Sequence, residues 1–494
     1  MPDGDVTINI TLTDKFPDQS NAKLGWLGAS AGTVTQGDPQ DDYAYMVTVP
    51  HDFTGDFSIY AQAENPYLEP VLKEGTVETE LGGNLTLTEG LNAYTITVTP
   101  EEGGAKVYSI KVIKLPDLSL KTFKIKKDGD FERDLAPSDT LDVYVPYADG
   151  ITAVAEANDT GATTNSPVSA NNLQVTVSTP ITVTVSKTLS GVEASLTRKD
   201  YILNLYYGDD VPLNSLAEGG YVSFVPGNNG ANSYDEVHTF LAGNTSAGGQ
   251  AAHSLVFKDG PRPATVQVLV AAGGGGGGGS MGGQHSSSGG GAGRFVYHPA
   301  FKVGAEENWT SAGTISVKVG AGGSGGVGGE HAANGSNGGA SEFVRHTDDY
   351  RISAPGGGGG HGNSGSTGSG IKGGSSGGSH NSANPITSTT AGTFPLGEGV
   401  LDLGNGGGGK DRPPYYTGGG AGGIGIGTQS AISGVSTMYA AGGKGGSGYN
   451  FNDAAKDRGN GGDGGYTASH AGGKGGSGIV IVRFPHPGNE SAPE

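Results

Sequence analysis

An all-β chain is what this sequence predicts, and three observations predict it. Short segments alternate apolar with polar residues, the period of a half-buried strand. Turn-forming residues separate them at short intervals. No 12-residue stretch carries a convincing helical period. The composition then divides the all-β prediction into two tandem sandwiches and a third, glycine-rich unit. Of 95 glycines in 494 residues, about 17 lie before residue 217 and about 78 after it.

In the first half, Thr7-Ile8-Asn9-Ile10-Thr11-Leu12, Tyr45-Met46-Val47-Thr48-Val49 and Tyr94-Thr95-Ile96-Thr97-Val98 read as strands. Asp38-Pro39, Glu64-Asn65-Pro66 and Glu102-Gly103-Gly104 read as turns between strands. The half repeats weakly. Val47-Thr48-Val49-Pro50 is echoed by Val143-Tyr144-Val145-Pro146, Ala61-Gln62-Ala63-Glu64-Asn65 by Ala155-Glu156-Ala157-Asn158, and Tyr108-Ser109-Ile110-Lys111-Val112 by Tyr201-Ile202-Leu203-Asn204-Leu205. An offset of about 93 to 96 residues is the size of one β-sandwich. The expected domains are therefore 1–115 and 116–208, then a glycine-rich domain over 209–486 and a tail over 487–494.

The glycine-rich domain is not uniform. Tyr221-Val222-Ser223-Phe224-Val225, Ala264 to Val270, Thr314 to Val319 and Ile479 to Phe484 are strong strand candidates. A flexible linker would be Gly and Ser throughout. Between the strands, triplets of two glycines and one other residue recur: Ala321 to Glu330, Gly442 to Ser447, Gly461 to Tyr466 and Gly472 to Ser477. A left-handed helix with three residues per turn has no internal hydrogen bonds. Wound that way, the triplets put every side chain on one edge and leave main chain bare on the other two. Neighbouring helices could then approach closely and bond laterally, because glycine has no Cβ. A bundle of such polyglycine-type helices is expected, standing in for a core that 34% apolar residues would not supply.

These segments carry family resemblances. Leu91-Asn92-Ala93-Tyr94-Thr95-Ile96-Thr97-Val98, a glycine-containing turn and Tyr108-Ser109-Ile110-Lys111-Val112 look like the end of the bacterial cadherin-like β-sandwich repeat. The second unit is similar but lacks the clean turn. That resemblance implies a spacer without chemistry. Val266 to Gly279, Ser316 to Gly323 and Gly475 to Phe484 resemble the bacterial glycine-rich domain family and the glycine-rich region of the anaplastic lymphoma kinase ectodomain. This second resemblance implies a jelly-roll-like β framework with polyglycine helices inserted.

Chemistry is sparse. Net charge is −20, concentrated before residue 217, which disfavours nucleic acid and anionic membranes as partners. There is no cysteine for disulfides, thiolate sites or nucleophiles. No apolar run approaches the ~18–20 residues of a membrane span. No signal peptide is read at Met1-Pro2-Asp3-Gly4, so export is expected through a removed leader or as part of a phage particle. Gly404 to Lys410 is one residue from a phosphate-binding loop. Asp411 stands where Ser or Thr would bind Mg²⁺, and Arg412-Pro413-Pro414 cannot start the required helix. His285, His298, His331, His346, His361, His380 and His470 are scattered without HxH or HxxxH spacing, and no G-x-S-x-G elbow is present. The acidic pairs in Gln40-Asp41-Asp42-Tyr43 and His346-Thr347-Asp348-Asp349-Tyr350 lack the alternating ligands of a calcium loop. No cofactor, metal site or catalytic residue is expected.

Tyr415, Tyr416, Tyr439, Tyr449, Phe451 and Tyr466 sit in or beside glycine runs. Exposed aromatics on a rigid support suit sugar or protein recognition; in a packed lattice they would instead cover apolar gaps. The expectation is a non-enzymatic extracellular or cell-surface adhesion protein, its sandwich stalk presenting a rigid head to a glycan or protein receptor. The rivals are a self-assembling filament or surface-layer subunit, a phage tail-tip adhesin, and an ice-binding face interrupted by long loops such as Asn381 to Leu403.

Overall fold

The computed structural model describes residues 21–38, 41–175, 177–208, 211–227, 233–243, 245–258, 263–280, 287–303, 314–328, 332–345, 350–362, 401–403, 427–444, 454, 457–465 and 471–486. Regular structure there is strand, apart from one 3-10 turn at Ala194–Thr197. The Thr7 to Leu12 strand lies outside these residues.

The first two units share one plan. In the first, a six-stranded sheet runs in the order Thr33–Asp38, Asp41–Val49, Lys106–Lys114, Gly90–Val98, Val71–Glu74, Val77–Thr79, and faces the pair Leu24–Ala29 and Ile59–Ala63. Val47, Ile59, Ile96, Ile110 and Val112 fill the space between. In the second, Phe131–Asp134, Leu120–Lys127, Ile151–Ala157 and Val168–Ala170 face Thr140–Val145, Arg198–Tyr207, Thr179–Ser186 and Thr163–Thr164.

The sequence echo has a topological counterpart. Val47 pairs with Val112 across a parallel ladder, and Val143 pairs with Leu205 across another. The two echoed tyrosines also do the same task. The Tyr108 hydroxyl donates to Ala22 O at 3.1 Å, and the Tyr201 hydroxyl to Leu118 O at 2.9 Å. Each pins the incoming chain to its own sheet.

The third unit packs two antiparallel sheets. One orders Ala217–Glu218, Gln250–Phe257, Thr314–Gly320, Ser341–Arg345 and Tyr350–Ala354. The other orders Tyr221–Pro226, Tyr234–Leu241, Ile479–Pro485, Thr265–Ala271, Phe295–Lys302 and Leu401–Leu403. Phe240, Phe257, Val268, Phe301, Ile315, Phe343 and Val482 lie between them. The run Ile479–Val482 is apolar at every position because its strand is buried on both faces. Val480 and Val482 face the inter-sheet core, while Ile479 and Ile481 join Leu269, Ile432 and Tyr439 on the other side.

The expected polyglycine-type helices have no counterpart among the helical and strand elements of the described residues, which is the ordinary outcome for a chain without internal hydrogen bonds; the structure shows their lateral bonding. The glycine segments are laterally bonded extended segments that continue the strands of the two sheets. Thr265–Ala271 runs into 272–279, Thr314–Gly320 into 321–327 and Tyr350–Ala354 into 355–362. Segments 287–293, 333–340 and 472–478 lead back into Phe295–Lys302, Ser341–Arg345 and Ile479–Pro485.

Candidate functional site: the glycine array and its rim

Six segments surround residues 273–279, and their hydrogen bonds follow a three-residue step. The N–H groups of Gly273, Gly276 and Gly279 donate to Gly339, Ser336 and Ala333. Those of Gly274 and Gly277 donate to Gly476 and Gly473, and those of Gly275 and Gly278 to Gly291 and Ser288. The carbonyls run the same way. Gly357 and Gly360 donate to Gly273 and Gly276, Gly323 and Gly326 to Gly274 and Gly277, and Gly462 and Gly465 to Gly275 and Gly278. These bonds measure 2.8–3.0 Å. The three segments that accept from the centre are antiparallel to it and alternate with the three parallel segments that donate to it. Neighbours in the ring also bond to each other, as Gly335 to Gly360, Gly290 to Gly462 and Gly475 to Gly323.

This arrangement explains why residues 273–279 are glycine without interruption, while the triplets elsewhere carry a third residue. A Cβ on Gly273, Gly276 or Gly279 would lie 1.8–2.0 Å from the carbonyl oxygen of Ala321, Ser324 or Val327. On Gly274 or Gly277 it would meet Asn460 or Asp463 O at 1.9–2.0 Å, and on Gly275 or Gly278, Gly358 or His361 O at 2.2 Å. A segment enclosed on all sides has no edge for a side chain. A ring segment has one, and its third residue points there.

An eighth segment, 441–444, shows the same rule from outside the ring. It packs in the groove between 287–293 and 459–465, with Gly443 donating to Gly290 and Gly464 donating to Lys444. There the outward position is Gly289, whose Cβ would lie 2.4 Å from Gly443 O. Where no further main chain packs, the outward positions carry side chains. Ser324, Val327, Asn334 and Asn337 are exposed. Several side chains at these positions accept from outward main-chain N–H groups: Asn334 from Gly362, Asn337 from Gly359, Asn460 from Ala441 and Asp463 from Lys444, at 2.8–3.0 Å. The polar third residues thus finish the hydrogen bonding that glycine began.

Far from the sheets, the chain leaves the array at residues 279, 327, 362, 444 and 465 and returns at 287, 333 and 472. Of the six aromatics singled out from sequence, the structure places one. Tyr439 is 2% exposed and packs against Phe295 at a centroid distance of 6.3 Å. It is a core residue and not an exposed contact; burial pushes its hydroxyl pKa up, against hydrogen bonds from Ser433 and Thr437. Tyr415, Tyr416, Tyr449, Phe451 and Tyr466 lie outside the described residues, as do the near-phosphate loop at Gly404 to Lys410 and the carboxylates of Asp348 and Asp349.

Of the histidines, His298 is buried on Phe295–Lys302 and His361 within the array, and burial lowers the pKa of both. Among the described residues no group of three or more His, Asp or Glu is placed to hold a metal.

One cluster was not legible from motif spacing. The Ser215 hydroxyl, the Glu236 carboxylate and the His238 ring meet in the interior. The Ser215 hydroxyl bonds to the carboxylate and not to the imidazole, unlike a nucleophile paired with its base. His238 Nε2 lies 2.6 Å from Glu236 Oε1 and Nδ1 lies 2.6 Å from Gly219 O, so both ring nitrogens face acceptors. Burial pushes the Glu236 carboxyl up; the hydrogen bond and charge of His238, with the Leu216 N–H and the Ser215 hydroxyl, outweigh it and hold the group below the usual carboxylate range. The cluster is a polar tie between the strand at Tyr234–Leu241 and the chain that enters the domain.

Comparison with known proteins follows this division. Residues 253–485 match the family model described as a glycine-rich domain. No curated protein matches the chain.

Proposed function

We propose that the protein is a non-enzymatic extracellular or cell-surface binding protein whose glycine array is a scaffold for recognition of a glycan or protein receptor. One observation carries this reading: the main chain at the array's centre is fully engaged in lateral bonds, so its interior has nothing left to offer a ligand. In the described array, contact chemistry is left to the rim side chains. The rim repeats every three residues, about 9–10 Å for an extended chain, and holds Ser324, Val327, Asn334 and Asn337 in register. Polar groups fixed at a regular spacing bind with little ordering cost. The acidic first half suits an exported or virion-borne protein that must avoid nucleic acid and anionic surfaces, and neither nucleic acid nor membrane insertion is part of the proposal. A phage tail-tip adhesin is the form this function takes in a virion.

Glycan arrays and cell-binding assays with the full chain test the proposal. Two variants accompany it: Ser324→Arg with Val327→Glu at the rim, and Tyr415, Tyr416, Tyr449, Phe451 and Tyr466 together changed to Ala. Loss of binding in either variant supports the reading. Equal binding by both variants, or none by the wild type, overturns it.

A second reading, a self-assembling surface subunit, draws on one feature of the first sandwich. Its edge strand Val77–Thr79 leaves Val77, opposite Glu74, 66% exposed. An open edge with apolar side chains can pair with another chain. A concentration-independent monomer in sedimentation removes this reading.

A further inference from the structure

We infer that sandwich 2 and the glycine-rich domain form one cooperative unit, bolted together by Arg133, so that the array is held at a fixed orientation to its base. Arg133 lies on the edge strand Phe131–Asp134 of sandwich 2 and is 7% exposed. Its Nη2 donates to Pro212 O at 3.1 Å, on the far side of the boundary. Its Nη1 donates to Tyr144 O at 3.3 Å, on the near side. The guanidinium lies between two rings, 4.9 Å from the centroid of Phe131 in sandwich 2 and 4.6 Å from that of Phe224 in the glycine-rich domain.

A buried cation gains from an opposing charge, and the field of Glu236 reaches it without a direct ion pair. The attraction of Glu236 acts against the burial that pushes the Arg133 guanidinium down to about 10. The same carboxylate holds the Ser215 hydroxyl and His238, with His486 Nε2 at 3.9 Å. Glu236 therefore ties the entering chain, a central strand and the end of the last strand together beside Arg133.

The described residues of the connection are tied down. Gly208 N–H donates to Val145 O, Val211 N–H donates to Gly208 O, and Val211 is fully buried. Tyr144 stacks on Tyr206 at 4.8 Å and leans on Tyr234 of the next domain at 6.1 Å. A Cβ at Gly208 would lie 2.1 Å from the Tyr234 hydroxyl oxygen, so close approach is part of the joint. A tandem-domain linker is ordinarily exposed and crossed by few contacts; here its described residues are packed.

The test is native-state hydrogen exchange of the full chain in rising urea, read at the inner strands of both units. The expected result is that amides near Phe123 and Ile125 and amides near Val237 and Phe240 converge on one opening with one urea slope. Arg133→Met, which keeps apolar bulk and removes the charge and donors, is expected to split that opening in two and to expose residues 208–213 to protease at least tenfold faster. Two separate openings in the wild type overturn the inference whether or not the variant folds. So does an Arg133→Met protein that keeps a single opening and resists cleavage.

Discussion

Replacing Gly276 by alanine separates an ordered array from a glycine tether by the sign of the effect. The new Cβ would stand 2.0 Å from Ser324 O and 2.4 Å from its carbonyl carbon, both main-chain atoms that no rotamer can move. Bringing that contact out to 3.4 Å means shifting segment 321–327 by about 1.4 Å, in an interior that does not deform smoothly. The shift breaks the bonds from Gly323 to Gly274 and from Gly326 to Gly277, each 2.8 Å. Each buried bond left unmade costs ~1–3 kcal/mol, and overpacking adds ~1–3 kcal/mol. Alanine also restricts the unfolded chain, which favours folding by ~0.4–1 kcal/mol. The net expectation is a loss of ~3–8 kcal/mol, a large part of the ~5–15 kcal/mol that holds a domain together. In a mobile coil only the unfolded-chain effect would survive, and Gly276→Ala would be neutral or slightly stabilising. Urea unfolding followed by near-ultraviolet circular dichroism reads the difference. Val327→Ala, at a rim position 55% exposed, is the control and is expected within ~0.5 kcal/mol of wild type. A Gly276→Ala protein as stable as the control would refute the lateral-bonding argument.

Acidification is expected to weaken the fold in two stages. His298, His361 and His486 have pKa values lowered from 6.5, chiefly by burial, so they fold neutral. Their contribution is complete above about pH 6.5 and is lost as pH falls from there through each folded value. Glu236, lowered from 4.5, adds stability that persists above that value and is lost as pH falls through its own depressed pKa; a melting temperature flat from pH 8 to 5 would contradict the histidine stage. Tyr439→Ala is expected to cost ~3–5 kcal/mol as a core truncation, and thermal melts showing no loss would return this residue to the surface. The ion pair of Lys474 with Asp52 at 2.8 Å joins the array flank to sandwich 1, with both side chains over a third exposed. Lys474→Ala should therefore change stability by no more than ~1 kcal/mol, with little salt dependence beyond screening.

How far the sequence could be read depended on whether a residue's role is local. Strands such as Ile479–Pro485 and Thr314–Gly320 were legible because alternation and β-branching are properties of a short window. The three-residue repeat was legible too, and with it the lateral use of main chain. What a window cannot give is the neighbour. Tyr439 beside a glycine run looks the same whether it faces solvent or Phe295, and here it faces Phe295. Arg133 and Glu236 stand about a hundred positions apart with no motif between them, so the attraction between them exists only in the folded chain. The unbroken run Gly273–Gly279 also carries a local signal. A third residue marks a free edge, and its absence over seven positions marks a segment with none. Read this way, the third position of each triplet reports its own environment. Glycine at 289 marks where segment 441–444 packs, and Asn334, Asn337 and Asp463 mark where packing stops and side-chain oxygens complete the bonds. Under the proposed function, the side chains that end the array are the ones a partner would meet, and the residues that limit the scaffold would also set its recognition surface.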